Sequence, residues 1–266
     1  MQAQKGDLVF VNNSLSTKKP LAGDHAFMVV ESGPLKKTTR TVHCTWGGFY
    51  IWDFEDQGPD AKTTTYYRCP DTTLAARAAD YALLWATRQP ELNQSYDNPR
   101  AKAMMHDIKS DGNLEYGFDA LRRSIKWCKR LADEDPFSKN KGTTCSAFLV
   151  AAYQAAAFAT IDRSKLDQAW SRLESLRVNK KGYRAAQTLD DPTKVAYREY
   201  SNPGAKEADA RAQVLAVLKD KTDETDDAFL ERLMTKPMVV DARYIHPDGM
   251  VKRLKNSVWQ QLQWAY

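Results

Sequence analysis

Gly142–Ala157 reads GTTCSAFLVAAYQAAA, and the rest of the chain is interpreted outward from it. Thr143 and Thr144 precede a run without charge, and hydroxyl residues in that place read as a helix start. The run is apolar on nearly every side, so the spacing predicts a helix buried within a core rather than lying upon one. Cys145 falls in the first turn. There the backbone N–H groups lack intrahelical partners and the helix dipole is positive, a setting that favours thiolate over thiol. Taken alone, the residue has a second reading, a small hydrophobe at the start of a core helix.

N-terminal to this helix the chain reads as strands. Gly6–Asn12 (GDLVFVN), His25–Ser32 (HAFMVVES), Thr39–Trp46 (TRTVHCTW) and Phe49–Phe54 are short, β-rich runs. Loop residues at 14–23 and a Gly33-Pro34 and Lys36-Lys37 turn separate the first three, and such close spacing predicts an antiparallel meander. Helical periodicity then takes over, at Thr72–Arg88 and Leu114–Leu131. Pro90–Pro99 and Pro136–Gly142 read as loops. Beyond the Cys145 helix come amphipathic helices at Ser164–Arg177, Ala205–Lys219 and Asp226–Met234, with a loop-like stretch at 179–204. Met238–Ile245 (MVVDARYI) reads as a strand, His246–Gly249 as a turn, and Met250–Trp264 as a last helix. Strands first and helices after make an α+β class, not a regular βαβ alternation.

The totals narrow the function. The net charge of +5 is mild and its cations are scattered, so nucleic acid is not an expected partner, though an anionic cell wall or membrane face would attract the chain weakly. Cys44, Cys69, Cys128 and Cys145 contain no C-x-x-C pair, which argues against a zinc ribbon or a redox motif. No stretch reaches the roughly 18 consecutive apolar residues of a membrane span, so no stable membrane insertion is expected. The start, MQAQKGDLVF, lacks the charged and apolar regions of a Sec leader. The expectation is synthesis in a cytoplasm, with any export by a route that needs no cleaved leader.

A thiolate nucleophile needs a base and a group to orient that base. The histidines are His25, His43, His106 and His246. His25 opens the second strand and His43 lies in the third. Pairing of those strands can set the two imidazoles side by side, one to contact Cys145 and the other to orient it. His106 reads as surface and His246 as a turn residue. A zinc site of His25, His43 and Cys44 is disfavoured, because adjacent strand residues point to opposite faces. No cofactor is expected.

Gly6-Asp7, then His25, then His43, then Cys145-Ser146 with Leu149 together resemble the circularly permuted branch of the NlpC/P60 superfamily of papain-like cysteine peptidases. In that branch a Gly-Asp strand opens the domain, a histidine starts the next strand, a second polar residue follows on the strand after, and the nucleophile comes last. The resemblance covers residues 5–60 and 140–155 and resumes at IHPDGMVKRLKNS. It implies a papain-like fold with a small antiparallel sheet packed on the helix that bears the cysteine. It makes Cys145 the nucleophile, His25 the base and His43 the orienting residue. Residues 161–235 have no counterpart and read as a helical insertion within one domain, 1–266. The implied activity is a bacterial cysteine amidase or endopeptidase acting on peptidoglycan stem peptides. A secreted antibacterial effector toxin, delivered to a target periplasm, fits that activity, with an immunity or inhibitor protein as its partner. Two other readings stay open: an acyltransferase, deamidase or thioesterase acting on a lipid or protein, and a non-enzymatic binding module on the same fold.

Overall fold

Alternation along the N-terminal strands sorts their side chains onto two faces of one sheet. The computed structural model describes residues 2–11, 25–33, 38–45, 48–54, 64–92, 115–132, 143–176 and 205–262. Strands β1 (Leu8–Val11), β2 (His25–Glu31), β3 (Arg40–Thr45), β4 (Gly48–Asp53), β5 (Thr64–Arg68) and β6 (Gln260–Leu262) form a six-stranded antiparallel sheet in the order β4-β3-β2-β1-β5-β6. The first four strands are the expected meander. On one face Leu8, Phe10, Met28, Val42 and Cys44 join the main core under the helices. On the other, Val9, Val11, Phe27, Val29, Tyr66 and Leu262 form a smaller apolar cluster with Phe54.

Seven α-helices lie among the described residues: α1 (Thr72–Leu92), α2 (Phe118–Ala132), α3 (Cys145–Phe158), α4 (Arg163–Ser175), α5 (Ala205–Leu218), α6 (Asp226–Met234) and α7 (Pro247–Lys255). The molecule is therefore α+β. Helix α3 is its centre, and every residue from Cys145 to Phe158 is buried. Thr144 caps it in an extended conformation, its Oγ1 accepting from the Ala147 amide at 3.4 Å. Helix α3, with six alanines, packs on α1, where Ala75, Ala78, Ala79 and Ala82 are also buried. Small residues on both sides let two helices approach closely, since interaxial distance follows side-chain size. Helix α3 also packs on β2, β3, α2 and α6.

Gly6-Asp7 joins the sheet to α1 and α3. Gly6 has φ +91°, and a Cβ there would stand 2.5 Å from the Ala75 carbonyl oxygen. Its own carbonyl accepts from Tyr153 Oη on α3 at 2.7 Å. Asp7, 1% exposed, accepts two hydrogen bonds from Arg68, at 2.9 and 2.7 Å. A fork of that kind offsets the cost of burying the carboxylate.

Several segments depart from the expected elements: α1 continues through Pro90 to Leu92, where a loop was expected, and Pro247–Gly249, expected in a turn, open α7. Met238–Ile245 is not a strand; it contains the end of one 3-10 turn, Lys236–Met238, and a second at Ala242–Tyr244. The Met238 and Val240 carbonyls accept from Gln154 Nε2 at 2.9 and 2.7 Å, so a buried side chain of α3 takes the place of a sheet ladder. The last helix stops at Lys255 rather than running to Trp264, and Gln260–Leu262 pairs with β5. Strand β5 itself was not anticipated. In the expected insertion, 161–235, all the regular structure among the described residues is helical, with α4 on α5, both on α2, and α6 on α3. The expected loops at 14–23 and 179–204 lie outside the described residues. No single described helix is long and apolar enough to cross a membrane.

Candidate active site

Strands β2 and β3 pair with Phe27 opposite His43, and extending that register two places sets His25 level with Thr45, at the end of the strands. His25 and Phe27 share a face of β2, as Thr41 and His43 share one of β3. The result is a contact: His25 Nε2 lies 3.1 Å from His43 Nδ1. The ring planes lie 25° from parallel with centroids 5.4 Å apart, an edge-to-edge arrangement that suits a hydrogen bond between ring nitrogens. His43 is also held between Phe27, at 4.1 Å, and Trp52, at 4.9 Å. Its other nitrogen, Nε2, lies 2.9 Å from Thr41 Oγ1, and that hydroxyl donates to the Trp52 carbonyl at 3.2 Å.

His43 is 1% exposed, and burial holds its pKa well below the ordinary 6.5, with His25 lowering it further. At neutral pH His43 is thus an uncharged imidazole, able to accept at Nδ1 from its neighbour. His25 is half-buried at the first residue of its strand.

Cys145 opens α3, and α3 packs on the same two strands. The thiol's side of the sheet is marked by Cys44, whose Sγ lies 3.6 Å from the Thr143 carbonyl oxygen. Burial pushes the Cys44 thiol pKa up, and Cys145 adds to the rise, so Cys44 remains a thiol at neutral pH. His43 and Cys44, adjacent in sequence, point to opposite faces of β3. Cys44 joins the core under the helices, whereas His43 packs on Phe27 of the cluster on the other face of the sheet. Cys145 is 2% exposed, so burial does not set it apart from the buried Cys44, Cys69 and Cys128; its place at a helix start does.

Ser146 Oγ donates to the Ile245 carbonyl at 2.5 Å, tying the residue after Cys145 to the segment that precedes α7. His246 is the N-cap of α7, its Nδ1 accepting from the Asp248 amide at 3.2 Å, so it starts a helix rather than a turn. His106 lies outside the described residues. Among the described residues no three His, Cys, Asp or Glu side chains gather as a metal site. The sequence reading passed over Thr41 and the closeness of Cys44 to the Cys145 turn. The first had a visible signal, since Thr41 stands two residues before His43 and must share its face. Comparison with protein-family models, curated proteins and solved structures finds no match to this chain.

Proposed function

We propose that the protein is a papain-like cysteine amidase or endopeptidase of the permuted NlpC/P60 type, acting on peptidoglycan stem peptides. The observation that carries this reading is the 3.1 Å contact between His25 and His43 on strands that also support the helix opened by Cys145. In the proposed reaction, Cys145 gives its proton to His25 and the thiolate attacks the carbonyl carbon of the scissile amide. First-turn N–H groups of α3 stabilise the oxyanion, aided by the helix dipole. The His25 imidazolium, steadied by neutral His43, then protonates the departing amine. Water, with His25 as base, hydrolyses the resulting thioester and returns Cys145 to the thiol.

The test is digestion of purified sacculi, with new amine termini read by mass spectrometry. Wild type should release peptides, and Cys145→Ala and His25→Ala should not. His43→Ala should retain a measurable residue, because it orients the base without taking the proton; loss of the base itself costs about 10²–10⁴-fold. Release by Cys145→Ala equal to wild type would end the proposal.

One observation favours a second reading. Trp52 is 37% exposed, stacks on Tyr50 at 5.1 Å and touches His43. A partly exposed aromatic pair beside the imidazoles suits an apolar acyl group, as in thioester hydrolysis or acyl transfer. Turnover of a long-chain acyl thioester with intact sacculi would select that reading.

A further inference from the structure

We infer that Thr41 is a positioning residue: through its hydroxyl it fixes the tautomer of His43, and through His43 it makes Nδ1 of His25 the nitrogen that accepts the proton. The inference rests on the reading of His25 as the base and adds to it which atom does the work and what sets it.

The argument follows one proton at a time. A threonine hydroxyl has a single proton and two lone pairs. Thr41 Oγ1 has the Trp52 carbonyl at 3.2 Å and His43 Nε2 at 2.9 Å. A carbonyl can only accept, so the hydroxyl proton goes to Trp52. The contact with His43 is then made the other way, with Nε2–H donating to Thr41 Oγ1. Neutral His43 carries one ring proton, so its Nδ1 is a bare acceptor. His25 Nε2, 3.1 Å away, supplies the N–H for it. The Nε2 proton of His25 being committed, the lone pair of neutral His25 is on Nδ1. The same bonds persist when His25 becomes the imidazolium, because Nε2–H still donates to Nδ1 of His43. The chain of donors therefore needs no rearrangement during proton transfer.

Burial makes Thr41 hard to replace in this role. Thr41 is 0% and His43 1% exposed, which keeps bulk water from the shared hydrogen bond. Without the hydroxyl, the Nε2–H tautomer of His43 loses this buried acceptor, and the balance shifts toward the Nδ1–H tautomer. That tautomer donates toward His25 Nε2, drives the His25 proton onto Nδ1, and removes the lone pair from the nitrogen that needs it.

The test is the ring-nitrogen spectrum of histidine-labelled wild type, Thr41→Val and Thr41→Ser, beside turnover and thermal stability. Wild type should show His43 protonated at Nε2 and bare at Nδ1, with neutral His25 also protonated at Nε2. Thr41→Val should move the His43 proton to Nδ1 and lower kcat by about 10- to 100-fold, the loss typical when the hydrogen-bond partner that orients a metal-bound imidazole is removed, with KM little changed. Thr41→Ser, which keeps the hydroxyl, should restore both the tautomer and most of kcat. A His43 protonated at Nδ1 in wild type overturns the inference, as does a Thr41→Val protein with wild-type tautomers. The Thr41→Ser and wild-type spectra decide the matter if Thr41→Val does not fold. The spectra also separate this inference from the proposed function: a protein inactive on every amide or thioester offered still reports its tautomers.

Discussion

His43 is the residue whose surroundings most constrain its chemistry. Phe27 and Trp52 cover its faces and burial disfavours its charged form, so it folds as a neutral group. That has a consequence for stability against pH. In the unfolded chain a histidine takes up a proton near pH 6.5, whereas in the folded protein His43 does so only well below that value. Between those two points the unfolded state binds more protons, so stability rises with pH. The contribution is present in full above about pH 6.5 and is lost as pH falls from there toward the folded pKa, at about 1.4 kcal/mol per pH unit where the folded His43 is still uncharged. His43→Gln removes this term. Thermal melts from neutral to mildly acidic pH should show wild type losing stability faster than His43→Gln, and parallel curves would refute the assignment. A neutral His43 is also what an orienting group for an imidazolium must be, because a second charge 3.1 Å away would oppose protonation of His25.

At the scale of elements, Gly6 makes the case for why a short motif matters. Its φ of +91° and the 2.5 Å approach of the Ala75 carbonyl leave no room for a Cβ where β1 meets α1. Gly6→Ala should cost about 1–3 kcal/mol, the range for a residue forced into a sparsely populated backbone region. Gly117, where an added Cβ meets nothing within 4 Å, is the matched control, and Gly117→Ala should be near neutral in the same denaturant melts. Equal losses at the two sites would show that space around Gly6 is not the determinant. The elements that were legible were those whose own composition and spacing decide them: four short β-rich strands, and a helix with no polar face. The segments that were not legible are decided by distant partners. MVVDARYI carries β-branched residues, yet its carbonyls belong to Gln154, which sits more than eighty positions earlier. Leu262 continues the apolar spacing of α7, but Ser257 bonds the Leu254 carbonyl and the Trp259 amide and turns the chain out of the helix. The imidazole pair could be read from strand alternation. The Thr41 hydroxyl could have been, and the direction of its bond could not, because the Trp52 carbonyl enters only through the β3–β4 register.

For the molecule as a whole, α3 is the meeting point of segments from both ends of the sequence: β2, β3 and α1 on one side, the 236–244 turns and α7 on the other. The sheet has the same property. Its β5 edge is closed by β6, whose Leu262 pairs with Tyr66 across most of the chain. While a ribosome is still making the protein, β1 to β5 are available long before β6. Over that interval β5 presents the backbone groups of Tyr66–Arg68 without β6, a template for pairing with another chain. A nascent chain with that edge open would let other strands compete with β6 for it. Pulse-labelled hydrogen exchange during refolding should find the amides of 260–262 protected after those of β1–β3, since distant pairings close late. Simultaneous protection would mean that this edge is never left open.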